Sequence, residues 1–270
     1  MSDEKLISPL NRYKMLKKSF LILLLLTVCG PLLLAQEKYD FSRFADETNE
    51  FIKQPSKWQG NDYLKIGVIA AGTILAMQAD SQIRDGVLKD TRYSNSFALD
   101  GGRIWGEWYS APLLAGAFML DGVVSKNTGA NKIGFELVQA SIYSFAVTEV
   151  LKTSIGRARP YLNDGAFSYK PFDLSDDYGS LPSGHVTNAF AVSTVLSKNI
   201  KSGFWKIAVY APAVFTVASR VYEDKHWASD CFLAAAVGYF CGAWVVDNYD
   251  KKESVLKISS IYPLIVSIEF

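Results

Sequence analysis

The sequence predicts an all-α fold, a helical bundle of about six core helices behind an N-terminal signal or anchor segment. Three observations predict it. Six apolar segments without charge run roughly over 66–79, 108–120, 137–148, 186–197, 207–219 and 231–246. Gly, Ala, Ser and Thr recur inside them, and such small residues permit close helix packing. No convincing strand alternation occurs before the tail, Val255–Phe270, and Pro263 weakens even that one. The linkers carry turn signals such as Asp100-Gly101-Gly102 and Asn127-Thr128-Gly129.

Taken in order, residues 1–36 read as an export signal. Lys14, Lys17 and Lys18 precede the apolar run Phe20 to Leu26, continued by Leu32-Leu33-Leu34-Ala35. Cleavage would fall after Ala35, with Leu33 the imperfect fit; an uncleaved membrane anchor is the alternative. Residues 37–62 read as an amphipathic helix and linker. Phe41, Phe44, Ala45, Phe51 and Ile52 share one helical face, Asp46, Glu47 and Glu50 lie elsewhere, and Pro55 ends the element. Residues 63–250 form the helical-bundle domain, and 251–270 a C-terminal tail.

A spanning helix needs about 20 mostly apolar residues, and most of the core segments are shorter. They are bounded by Asp80, Glu107, Asp121, Glu136 and Glu149. If all six crossed, the loops on the two sides would hold ten and eight Lys/Arg, which gives no clear positive-inside signal. The expectation is an exported, periplasmic or otherwise extracytoplasmic protein, soluble or membrane-associated, with a multi-pass membrane protein as the alternative.

Composition excludes other classes. The net charge is +1 and the aromatic residues, 13% of the 270, are scattered rather than set in a basic stripe, so nucleic acid is not an expected partner. Of the three cysteines, Cys29 lies in the lead segment, while Cys231 and Cys241 would sit on one helix about 15 Å apart, too far for a disulfide. Two histidines and no cysteine cluster argue against a structural zinc. No metal site and no cofactor are expected.

The chemistry-bearing residues fall in three patches at segment ends. The first is Lys152 to Pro160. The second is Pro182-Ser183-Gly184-His185, running into an apolar helix. The third is Ser219 to Asp230. In an up-and-down bundle these ends meet. A helix start offers free N–H groups and a partial positive charge to an anion, and Gly184 lets it approach the backbone. Lys152, Arg159 and Arg220 would crowd three unpaired cations into one pocket, which a phosphoryl dianion would neutralise. His226 and Asp230 are four apart and share a helix face; a carboxylate on one ring nitrogen leaves the other free as nucleophile. His185 is then available to protonate a leaving oxygen.

Lys152 separated by six residues from Arg159-Pro160, then Pro182-Ser183-Gly184-His185, then Ser219-Arg220 ahead of His226 and Asp230, resembles the three-part signature of the type-2 phosphatidic acid phosphatase/vanadium haloperoxidase superfamily. The motifs cover about 80 residues. The resemblance implies that His226 forms a phosphoenzyme, that Asp230 orients it, and that His185 is the general acid. Lys152, Arg159, Ser183, the Gly184 backbone and Arg220 would hold the phosphoryl oxygens, and no metal would be needed. Arg157 and Ser219 would act in support, Arg157 being as easily a solvated or structural residue as a substrate contact. The aromatic and acidic stretch 161–181 would be a lid or an ordinary surface loop.

The expected function is phosphomonoester hydrolysis on a lipid phosphate, at a membrane surface, or on a small organic phosphate. A vanadium-dependent haloperoxidase, with His226 ligating vanadate, is the alternative, and a non-catalytic protein with a relic site is disfavoured because every motif residue is present.

Overall fold

The molecule is a helical bundle, known here from a computed structural model that describes residues 41–90, 92 and 96–266, with side chains through 252. The expected signal or anchor segment lies outside the described residues. The helices in order are α1 (Phe41–Ile52), α2 (Gly60–Met77), α3 (Asp80–Leu88), α4 (Phe97–Gly106), α5 (Ser110–Val124), α6 (Thr128–Ile155), α7 (Gly184–Asn199), α8 (Gly203–Ala208), α9 (Ala211–Tyr222) and α10 (Ala228–Val266). Among the described residues the extended pairing is limited to one isolated bridge, Arg157 with Tyr169.

The all-α expectation holds. Each of the six apolar segments lies largely within one helix: α2, α5, α6, α7, α9 and α10. The core lies where α5, α6, α7 and α10 meet, through Ala111, Leu137, Tyr143, Val192, Val195 and Val245. Asn127 caps α6, its side-chain oxygen accepting from the Gly129 and Ala130 N–H groups, so one expected turn is a helix start. At its other end α6 stops at Gly156, whose φ of 62° belongs to the left-handed region. A Cβ there would fall 1.8 Å from the Lys170 carbonyl oxygen.

Three expectations are corrected. Residues 80–103 are not a plain linker but contain α3 and most of α4, and Asp100-Gly101-Gly102 is helical rather than a turn. The glycine is required for packing: a Cβ on Gly102 would lie 2.3 Å from the Phe215 carbonyl carbon, so α4 lies directly on the α9 backbone. The tail, where the strand pattern is weak, is helical as far as Val266. Finally Glu47, expected on a polar face of the first helix, is buried.

The burial of Glu47 follows from where α1 lies. Phe51 stacks on Tyr143 of α6 at 4.4 Å and meets Trp244 of α10 edge-on, so α1 lies against both helices. Such ring pairs contribute about 0.5–1.5 kcal/mol each beyond area burial. Glu47 is satisfied there by Gln139 (2.7 Å) and Arg43 (3.0 Å), which a buried carboxylate requires.

Candidate active site

The C-terminal end of α6, the start of α7 and the α9–α10 junction converge at one end of the bundle. Two contacts fix this: Ser183 N–H donates to the Asp230 carbonyl (3.3 Å), and the Arg157 guanidinium reaches the Asp230 carboxylate (2.6 Å). The three sequence patches therefore form one site.

His226 is 3% exposed. Its Nδ1 lies 2.8 Å from the Ser180 carbonyl oxygen, an acceptor, so Nδ1 carries the proton and Nε2 is left with its lone pair. Nε2 faces Arg159 Nη1 at 3.4 Å. Burial pushes the His226 pKa down to about 4, with the Arg159 and Lys152 charges adding to the push and Asp230 opposing it. The ring is therefore neutral near neutral pH, with the Nε2 lone pair facing the Arg159 guanidinium.

Asp230 lies 3.8 Å from Nδ1, so its hold on the ring runs through an intermediary. Ser180 donates its hydroxyl to Asp230 Oδ2 (2.6 Å) while its carbonyl accepts from His226. The carboxylate also accepts from the Trp227 N–H (2.9 Å) and from Arg157. The sequence had assigned no specificity to Ser180, and a lone serine before Leu181-Pro182 carries no signal that would have found it.

Arg157 is fully buried rather than solvated, and its donors go to protein partners. Its two terminal nitrogens bridge Asp230 (2.6 Å) and Asp80 (2.8 Å), and it also donates to the Ala166 carbonyl. Burial opposes the charge, but the two aspartates more than offset this and hold the guanidinium above its ordinary value. Asp80, at the start of α3, accepts as well from the Ser229 N–H (2.9 Å). In the sequence Asp80 marked only the end of an apolar run.

The anion cradle is assembled beside Nε2. Ser183 is the N-cap residue of α7, yet its side chain makes no capping bond, and its buried hydroxyl has no partner. Ser caps usually bond the helix N–H groups; here the hydroxyl and the N-terminal N–H groups are both left for a ligand. Lys152 Nζ would lie 3.7 Å from a Cβ on Gly184, so the ammonium sits over that backbone. Arg220 is 5% exposed, and its Nε is buried without a partner. Ser219 orients it, accepting from Nη2 at 3.0 Å.

The three cations are not unpaired, as the sequence reading had supposed. Arg159 meets Asp176 (2.7 Å), Arg220 meets Glu223 (2.7 Å) and Lys152 approaches Glu149 (3.7 Å). These carboxylates stand on the exposed rim, Asp176 at 79% exposure, where solvent screens them. The cations thus retain donors for an anion that lies deeper.

The 161–181 stretch is stitched to the site. Ala158 N–H bonds Ser168 O, Arg159 N–H bonds Asp177 O, and Phe172 N–H bonds Thr153 O. Trp227 Nε1 donates to the Ala158 carbonyl at 3.0 Å. His185, the second residue of α7, is a third exposed, with its Nε2 3.6 Å from Glu107 Oε1. Among the described residues no group of three or more His, Cys, Asp or Glu side chains is placed to hold a metal ion.

An all-α bundle with a buried neutral histidine beside a cationic, hydroxyl-lined cradle has the chemistry to hold a phosphate-like anion. The PAP2 superfamily model matches residues 134–254, which hold all eight motif residues. A lipid A 1-phosphatase of Porphyromonas gingivalis is 38% identical over 101 residues, 36% of this chain and 20% of that protein. A lipid A 1-phosphatase of Rhizobium etli is 33% identical over 111 residues, 39% of this chain and 46% of that protein. The alignments thus span less than half the length of these relatives. The crystal structure of a transmembrane PAP2-type phosphatidylglycerolphosphate phosphatase from Bacillus subtilis shares the fold, with a TM-score of 0.54 and 20% identity over 70% of this chain and 94% of that one.

Proposed function

We propose that this protein is a phosphatase that removes a phosphate from a lipid through a phosphohistidine on His226. The observation that carries the reading is the His226 ring: buried, neutral, its Nε2 lone pair beside Arg159, with the unpartnered Ser183 hydroxyl in the same cradle.

In the first step Nε2 attacks phosphorus, the N–P bond forms and the P–O bond to the alcohol breaks. Lys152, Arg159 and Arg220 offset the charge on the phosphoryl oxygens, with Ser183 and the Gly184 N–H as neutral donors. His185 gives its proton to the departing oxygen. In the second step His185 takes a proton from water, whose oxygen forms the new P–O bond as the P–N bond breaks. Asp230, through Ser180, stabilises the positive ring while phosphorus is attached.

Two observations favour a lipid over a small soluble ester. The curated relatives are named for lipid A, a phosphorylated lipid. The bundle also presents apolar side chains outward, among them Leu64 and Leu75 on α2, Leu113 and Val124 on α5, and Val214 on α9, each more than half exposed. Such a surface suits association with a membrane. One stretch, Ala228–Lys252, is long and apolar enough to cross a membrane, and half of its most apolar window is buried inside the bundle.

The test is trapping. Brief incubation with ³²P-labelled lipid phosphate and an alkaline detergent quench leaves an acid-labile, base-stable label on the wild type and none on His226→Ala. A label that survives in His226→Ala overturns the mechanism. A panel of lipid A, phosphatidic acid and soluble phosphates then orders the substrates; a clear preference for the soluble esters would overturn the lipid reading.

A further inference from the structure

Among the carboxylates at the site that the three motifs do not supply, one faces His185. Glu107 lies at the C-terminal end of α4, outside the PAP2-matched region, with Oε1 3.6 Å from His185 Nε2. Its own position is tightly set. Asn188, three residues beyond His185 on α7, donates its side-chain amide to the Glu107 carbonyl (2.8 Å) and also reaches Ser110 Oγ (3.1 Å). The helix that carries His185 therefore holds the backbone of Glu107 as well.

Gly106 makes the approach possible. A Cβ there would fall 2.9 Å from the His185 carbonyl oxygen, 3.1 Å from the His185 Cβ and 2.5 Å from Thr216 Cγ2. A side chain at this position would push α4 away and carry Glu107 out of reach. The α4 end is thus built to deliver a carboxylate to this histidine.

We infer that Glu107 is a positioning residue for the proton donor: it accepts Nε2–H of His185, fixes the ring and presents Nδ1 to the leaving oxygen. After the proton leaves Nδ1, the ring is neutral with its remaining proton still on Nε2 facing Glu107, so no rotation is needed before it receives the proton from water. The other charges around the pair are Arg103 on the same helix, 3.5 Å from Glu107, and Arg220 on α9. His185 holds the Glu107 carboxyl below the usual carboxylate range against its partial burial, so Glu107 stays ionised.

The inference rests on the phosphatase reading, and the test separates the two. Glu107→Gln keeps shape and removes the charge. Phosphate release is measured from an alkyl phosphate, whose alkoxide needs the proton, and from p-nitrophenyl phosphate, whose phenolate leaves without it. The expected loss is about tenfold on the alkyl ester and about twofold or less on the aryl ester, since a general acid matters in proportion to leaving-group basicity. In a His185→Ala background Glu107→Gln should cost nothing further. Equal loss on both esters, or additive losses in the double variant, would overturn the inference.

Imidazole ¹H–¹⁵N spectra report the pairing whether or not any ester is cleaved. The chain has two histidines, so His226→Ala assigns the signals. Glu107→Gln should move the His185 resonances and leave those of His226 in place; unmoved His185 resonances would sink the proposal.

Discussion

Asp80→Asn probes the part of the site that lies furthest from the motifs. The carboxylate receives Arg157 Nη2 at 2.8 Å and the Ser229 N–H at 2.9 Å, all fully buried. Asparagine keeps the shape and one acceptor, but its amide must face either Arg157 or the Ser229 N–H, donor against donor. Arg157 is left with Asp230 as its single carboxylate. Breaking a buried pair by neutralising one partner costs about 3–5 kcal/mol, and the retained oxygen places this case near about 3. At about 2–4 °C per kcal/mol for a domain of this size, unfolding should move down by about 6–12 °C. Thermal unfolding followed by tryptophan fluorescence measures it. A loss below about 1 kcal/mol would show that Arg157 is held by Asp230, Ser229 and the Ala166 carbonyl without help from Asp80.

Other outcomes follow from the same geometry. His226→Ala should abolish phosphate release while circular dichroism stays that of the wild type; full activity would refute the nucleophile. Activity should survive EDTA, because the phosphoryl charge is met by Lys152, Arg159 and Arg220; strict dependence on added metal would count against this. His226 also gives stability a pH dependence. With a folded pKa of about 4 against 6.5 unfolded, its contribution is complete above pH 6.5 and is lost as pH falls through 4. The loss is about 3 kcal/mol, and His226→Ala should flatten that window in denaturant titrations; an unchanged slope would mean the ring protonates freely in the folded state.

Much of this architecture is legible in the sequence because helices advertise themselves through runs of apolar residues. The six core helices are of that kind. Helices α3 and α4 are not, since their faces mix Arg84, Asp85, Asp100 and Arg103 with glycines, and the Asp100-Gly101-Gly102 run imitates a turn. What makes it helical is the α9 backbone lying against Gly102, a tertiary fact with no local trace. The same division runs through the site. His185, His226 and the cations stand in motifs whose spacing is visible. Asp80, Glu107 and Ser180 act through partners 46 to 149 residues away in the chain. Nothing in the neighbourhood of an isolated acid or serine announces such a partner.

Ser180 has one more consequence. Its carbonyl steadies the His226 proton and its hydroxyl steadies Asp230, and its own N–H is bonded to the Arg157 carbonyl at 3.1 Å. Any displacement of the chain at Ser180 would therefore release the His226 ring and the Asp230 carboxylate together, so the end of the 161–181 stretch and the buried imidazole move as one mechanical unit.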